Sequence, residues 1–391
     1  MHLAITAARL WDGNRHLDHP VVEIEDGRIT SIRTRAEAPV PSSAQLLDFP
    51  GATLAPSYFD VHIHGSNGHD VMEATPQALQ SIGSFLASRG TASYLATTVT
   101  APLDSTLRSL SGLARIIQDS SRWAAPTARP IGIHLEGPFL SHAKRGVHPP
   151  VHLLAAEIPI FDRLFEAAEG QVRLMTLAPE LPGAVELAAH ATARGVRVSV
   201  GHSNATAAET RAVLAAGAVS ATHTFNAMRS LDHREPGILG VVLTTDSLFA
   251  ELICDGIHTS PELVRLWARA KGPQRAILIT DAMSAAGMPD GEYQLGGFSV
   301  QVANGKATAN GVLAGSVLTL DQALANFMQF TGAPLEQALP LATANPAAMT
   351  GFGDQAGSLA VGQQANLVAV DPAGVLLVSI VNGKGSKGLV S

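Results

Sequence analysis

From residue 53 onward, short apolar runs alternate with longer stretches whose apolar positions recur every three or four residues. The short runs are "TLAPSYFDVHIH", "ASYLATTVT", "PIGIHLEG", "VRLMTLAPE", "VRVSVGHS", "AVSATHTF", "LFAELICDGIH" and "RAILITDA". Their near-continuous hydrophobicity fits strands covered on both faces. Between them, stretches such as "TPQALQSIGSFLASRG", "LPGAVELAAHATARG" and "TSPELVRLWARAKG" have helical periodicity, often with Ser, Thr or Pro at the start and Gly at the end. Eight strands with intervening helices predict an α/β protein built on a parallel (β/α)8 TIM-like barrel. The link between the sixth and seventh strands is less clearly helical. Residues 285–315 read as a mostly irregular insertion after the eighth strand.

The chain ends have another rhythm. "HLAITAARLWDG" and "PVVEIEDGRITSIRT" near the start, and "GSLAVGQQANLVAVDPAGVLLVSIVNGK" near the end, are short strands punctuated by Gly, Asp and Pro. The expected organisation is a small β-sandwich domain formed from residues 1–52 and 353–391, beside a catalytic barrel at 53–352.

Bulk properties narrow the class. The 391 residues are 46% hydrophobic with net charge −7 and contain no basic block, so a nucleic-acid partner is not expected. A mean hydropathy of +0.19 fits a globular chain. The single cysteine, Cys254, precludes an intrachain disulfide and suits a reducing compartment. Its apolar strand position makes it a core residue rather than a nucleophile. With no signal-peptide pattern and no apolar run of bilayer length, the expected location is the cytoplasm.

Chemistry concentrates where the strands end. The first ends in His62 and His64, which share a face by period two. The third ends at Glu136, the fifth at His202 and the sixth at His223. The seventh runs into Asp255 and His258, and the eighth ends at Asp281. A barrel gathers all these ends around one mouth. Four imidazoles and a carboxylate suit a divalent transition metal, usually zinc. Glu136 would either bridge two ions or serve one with His202 and His223. Metal charge brings the acidity of water toward neutrality, and Asp281 fits as the general base. The implied reaction class is metal-assisted hydrolysis, most simply of an amide. His134 shares the face of Glu136 and reads as a supporting or packed residue.

The "DVHIHG" strand end, the flanking β segments and "GSLAVGQQANLVAVD" resemble the amidohydrolase superfamily. Within it, "HLEGPFL", "GHSNA", "THTFNAM", "DGIH", "TDAM", "LAGS" and "TANPA" resemble the N-acetylglucosamine-6-phosphate deacetylase family, in order and over nearly the whole chain. That resemblance implies removal of the N-acetyl group from an amino-sugar 6-phosphate, giving acetate and the amino-sugar phosphate. It implies that Glu136, His202 and His223 hold the principal metal and that Asp281 is the catalytic base and acid. His62 and His64 would add ligands for a second ion. His148, Asn226 and Ala227 would meet the sugar, and Leu313, Ala314 and Gly315 would line its pocket. Arg234, Asp255 and His258 would serve the phosphate and other polar groups. Arg234 would reach across the interface of a homodimer. Rival readings are the galactosamine epimer, another amidohydrolase such as an N-acyl amino acid deacylase, and a catalytically silent ligand-binding barrel. None of the five lysines ends a barrel strand, which counts against the carboxylated-lysine members of the superfamily.

Overall fold

The computed structural model describes residues 2–124 and 126–387; Met1, Ala125 and the last four positions of the C-terminal β segment lie outside them. The eight apolar runs form one parallel sheet: Tyr58–Ile63, Thr91–Thr98, Arg129–Glu136, Val172–Leu177, Arg197–Val200, Ala218–Ala221, Phe249–Ile253 and Ala276–Ile279, paired in chain order. The last strand returns to the first. Asp281 N donates to His62 O at 2.9 Å and His64 N to Ala282 O at 2.8 Å, which closes the barrel at its mouth. Every residue of the first two strands is buried, as the unbroken apolar pattern requires.

Helices pack outside. In Leu103–Asp119 the buried positions Thr106, Ser109, Leu110, Leu113 and Ala114 make one helical stripe against the sheet. Thr75 caps the helix Pro76–Ser88 by accepting from Ala78 N, and Pro76 occupies the first turn. Thr206 and Glu209 form a capping box on Ala207–Ala215. The unclear sixth link contains a short helix, Gly237–Thr244.

The insertion is not irregular. Gly291–Leu295, Phe298–Ala303, Lys306–Ala309 and Val312–Leu313 form an antiparallel meander. Its three turns are Gly296-Gly297, Asn304-Gly305 and Asn310-Gly311, and all six residues have positive φ. Two left-handed residues in a two-residue turn match the twist of the flanking strands, and Asn-Gly is the favoured pair. The signal was present in "QVANGKATANGVL"; the shortness of the strands hid it. The apolar face of the meander (Leu295, Val300, Val302, Ala307) packs on Val99, Met283 and Ala285, at the barrel's rim.

The chain ends form a separate eight-stranded sheet. Its main path runs from Lys384–Lys387 through Leu376–Val381, Leu367–Val370, Gln45–Pro56, His2–Trp11 and Pro20–Glu25 to Arg28–Thr34. Gln45–Pro56 lies between strands from the two ends of the chain, parallel to His2–Trp11 and antiparallel to Leu367–Val370, and the barrel begins at Tyr58. Leu3, Ile5, Leu54, Leu367, Val378 and Ile380 share its core. The far ends of the sheet come back together. Ala365 N donates to Gly27 O at 2.9 Å and Ile29 N to Gln363 O at 3.0 Å.

At that closure a Cβ on Gly383 would lie 2.1 Å from Gly27 Cα, and Gly383 has φ +76°. Gly383→Ala therefore meets both a backbone clash and a left-handed conformation. It should cost about 2 kcal/mol or more, measured as a shift of the denaturant midpoint. A variant as stable as the parent would mean that the two turns do not touch.

Candidate metal centre

The site residues lie at or just past the strand ends. His62 belongs to the first strand and Glu136 to the third; His202, His223 and Asp281 each sit two residues beyond their strands. These three have positive φ, at 45°, 27° and 50°. A non-glycine residue held there costs roughly 1–3 kcal/mol. The left-handed step turns the chain sharply off the strand.

Glu136 is the hub. Its Oε1 lies 3.3 Å from His62 Nε2, 3.3 Å from His202 Nε2 and 3.0 Å from His223 Nε2. Its Oε2 lies 3.2 Å from His64 Nε2 and 3.5 Å from His148 Nε2. Asp281 Oδ1 lies 3.0 Å from His64 Nε2 and 3.4 Å from His62 Nε2. All of these residues are buried. Burial pushes the Asp281 carboxyl up, but the charge of His62 and the contact with His64 outweigh it and hold Asp281 ionised below the ordinary range.

The far ring nitrogens fix the tautomers. His64 Nδ1 donates to Thr97 O at 3.0 Å, and His202 Nδ1 to Lys144 O at 3.0 Å. A carbonyl only accepts, so both Nδ1 atoms carry a proton and both Nε2 atoms face inward, where each can offer a lone pair to a metal ion. His62 Nδ1 faces Glu251 Oε2 at 3.3 Å, with the same consequence. His148 is the opposite. Thr100 N donates to its Nδ1 at 3.3 Å, so its Nε2 carries the proton and presents a donor. That suits the binding of a substrate oxygen better than ligation, although His148 also falls geometrically into a group with Glu136 and His202.

The residues fit a divalent ion. His62, His64 and Glu136 form a second potential ligand group, and His62 Nε2 is buried with no hydrogen-bond partner. The Nε2 atoms of His202 and His223 face one another at 3.0 Å. Two lone pairs at that distance repel unless a proton or cation lies between them. Imidazole nitrogens with carboxylate oxygens are the donor set of a catalytic zinc-type site.

A cavity of about 370 Å³ opens above this floor. Of the sequence-predicted residues, His64, Glu136, His148, His202, His223, Asn226, Ala227, His258, Asp281, Leu313 and Gly315 line it. His62 lies beneath the floor, fully buried. Ala314 is buried in the core of the meander. Asp255 is not a lining residue; its Oδ2 holds His258 Nδ1 at 2.7 Å and so orients that ring. Burial lowers the affinity of His258 for a proton, but the bond to Asp255 reverses this and raises it. Arg234 is exposed on the loop after the sixth strand and does not line this chain's own cavity. His134 sits below the floor, its ring 4.6 Å from that of His62 and its Nε2 2.8 Å from Thr176 Oγ1.

The structure adds residues that the sequence did not single out. Lys144 brings a cation to the cavity wall, and Leu295 and Val312 of the meander bring an apolar side. Lys144 lies between His142 and His148 in a loop with no periodic pattern. Leu295 and Val312 depend on the unrecognised hairpins. Glu251 had one signal, a lone acid inside the apolar run "LFAELIC".

Comparison with known proteins gives the following. The amidohydrolase family model matches residues 53–388. The N-acetylgalactosamine-6-phosphate deacetylase of Escherichia coli O157:H7 is 40% identical over 368 residues, covering 94% of each chain. The N-acetylglucosamine-6-phosphate deacetylase of Vibrio furnissii is 36% identical, covering 93% of this chain and 90% of that protein. Among solved structures, the N-acetyl-D-glucosamine-6-phosphate deacetylase of Mycobacterium smegmatis, a variant in complex with N-acetyl-D-glucosamine-6-phosphate, superposes with TM-score 0.90 at 34% identity and 99% coverage of both chains.

Because Glu136 touches both ligand groups, Glu136→Gln should weaken metal binding more than any change outside the ligand set, by at least about 100-fold. Metal content after dialysis and a chelator-competition titration measure this, with circular dichroism confirming the fold. Unchanged metal content would remove Glu136 from the centre.

Proposed function

Because the chain belongs to the amidohydrolase family, we propose that it hydrolyses the N-acetyl group of N-acetylglucosamine-6-phosphate, giving glucosamine-6-phosphate and acetate. The observation that carries this reading is the placing of Asp281 against the Glu136–histidine cluster on the floor of one cavity. Glu136, His202 and His223 would hold the principal ion, and His62 and His64 would add ligands for a second. Zinc is the metal that this donor set favours. The ion, when bound, supplies Lewis-acid charge that makes hydroxide available near neutral pH.

The chain's own residues do the rest. Asp281, kept ionised, takes the proton of the attacking water and later delivers it to the leaving nitrogen. His148 donates from Nε2 to a substrate oxygen. Asn226, Ala227, Leu313 and Gly315 shape the sugar pocket. His258, oriented by Asp255, faces the substrate's polar groups. The phosphate needs a cation. Arg234, whose planar guanidinium suits bidentate phosphate binding, reaches the site of a partner subunit in a homodimer. We place this reaction in the cytoplasm, in keeping with a single buried cysteine. Among the described residues no helix is long and apolar enough to cross a membrane.

The galactosamine epimer is the second reading, favoured by the 40% identity to the Escherichia coli relative of that name. Acetate release from both 6-phosphates and from unphosphorylated N-acetylglucosamine, with a chelated control, separates the readings. Chelator-sensitive turnover fastest on the glucosamine epimer is the expected result. Turnover on neither phosphate by metal-loaded protein would overturn the reading.

Two variants test the assigned roles. Asp281→Asn should keep its metal and bind substrate, while kcat falls at least about 100-fold; near-normal turnover would remove Asp281 from the proton transfers. Arg234→Ala should raise KM sharply for the phosphorylated sugar and much less for the unphosphorylated one. Equal effects on both would remove its phosphate role.

A further inference from the structure

Glu251 has no place in the chemistry described so far. It sits on the seventh barrel strand, Phe249–Ile253, in an otherwise apolar run, and is fully buried. A glutamate is almost never fully buried unless paired. Its Oε2 lies 3.3 Å from His62 Nδ1, and its Oε1 is buried with no hydrogen-bond partner. Burying a carboxylate with so little compensation costs free energy, so the position demands an explanation.

The comparison with the other inward-facing imidazoles supplies one. His64 and His202 are held from behind by backbone carbonyls, which are neutral acceptors. His62 is held from behind by a carboxylate. Both acceptors fix the proton on Nδ1, but a carboxylate also makes the ring a stronger donor at Nε2. That Nε2 is buried and makes no hydrogen bond among the described residues, though it faces Glu136 and Asp281 oxygens at 3.3 and 3.4 Å, and it belongs to the group His62, His64 and Glu136.

Charge points the same way. The buried carboxylates Glu136, Asp281 and Glu251 converge here, with Asp60 buried beside them under the backbone of His62, and among the described residues the ion-pair partners of the first three are all histidines. With neutral imidazoles, a single divalent ion leaves an excess of negative charge among these buried carboxylates, which a second ion would offset.

We propose that Glu251 is a positioning residue: it locks His62 with its proton on Nδ1 and strengthens its Nε2 as a donor, so that the chain retains a second divalent ion between His62, His64 and Glu136. The inference rests on the metal reading of the Glu136 centre. Glu251 acts through His62 and meets neither substrate nor ion.

A metal titration tests it. Wild type, Glu251→Gln, Glu251→Leu, His62→Gln and the two doubles are stripped with chelator, checked by circular dichroism, and titrated with Zn²⁺ against a competing chelator. Bound ions are counted by mass spectrometry. Wild type should bind two ions per chain. Glu251→Leu should weaken the second by about 10–100-fold and leave the first unchanged. Glu251→Gln, which keeps an acceptor without the charge, should fall between. In the His62→Gln background neither change should weaken binding further. Should Glu251→Leu misfold, the Gln variant and its double complete the same cycle. Wild-type affinity for both ions in the Glu251 variants would overturn the proposal, as would equal losses with and without His62, or a wild type that holds a single ion. A wild type that binds no Zn²⁺ would instead overturn the metal reading beneath it.

Discussion

The barrel mouth is organised around one demand, that Glu136 stay ionised away from water. Removing a carboxylate from solvent is costly unless charge or hydrogen bonds replace the lost hydration. Here, among the described residues, no lysine or arginine pairs with it. Five ring nitrogens surround its two oxygens at 3.0–3.5 Å. Neutral imidazoles offering lone pairs to a carboxylate do not stabilise it. Cations placed among them do, because each draws on carboxylate and imidazole together. The same demand explains the left-handed backbone at His202, His223 and Asp281, where local strain is accepted at a ligand-type centre.

Support from behind is as specific as the ring itself. Thr97 O, Lys144 O and Glu251 each fix a proton on the far side of an imidazole, so three Nε2 atoms face inward, placed to ligate a metal ion. Thr100 does the reverse for His148 and converts it to a donor. Four rings of one residue type thus divide into two roles by their hydrogen-bond partners alone. The loop that supplies Lys144 O also carries the Lys144 side chain to the cavity and leads into His148. The meander closes the other side with Leu295 and Val312.

Much of this was legible in the chain. Buried parallel strands appear as unbroken apolar runs, and the residues that terminate them stand out because an imidazole or carboxylate does not belong in such a run. Topology then does what local pattern cannot, bringing together positions some 220 residues apart. What stayed hidden has physical causes. The meander's strands are short, and their Asn-Gly turns were outweighed by the lack of long apolar runs. Glu251 is one polar residue inside a strand, and its partner His62 is distant in sequence. The tautomer of His148 depends on the backbone N–H of Thr100, which no pattern encodes. Asp255 was legible as important, but its work is to orient His258 rather than to line the cavity.

The most direct test of a metal centre built on Glu136 is anomalous X-ray scattering from crystals of the zinc-loaded protein, collected on both sides of the zinc absorption edge. A peak within coordination distance of Glu136, His202 and His223, absent below the edge, is the expected result. Full occupancy of zinc elsewhere, with Glu136 hydrogen-bonded to protonated imidazoles and the enzyme still turning over, would contradict it.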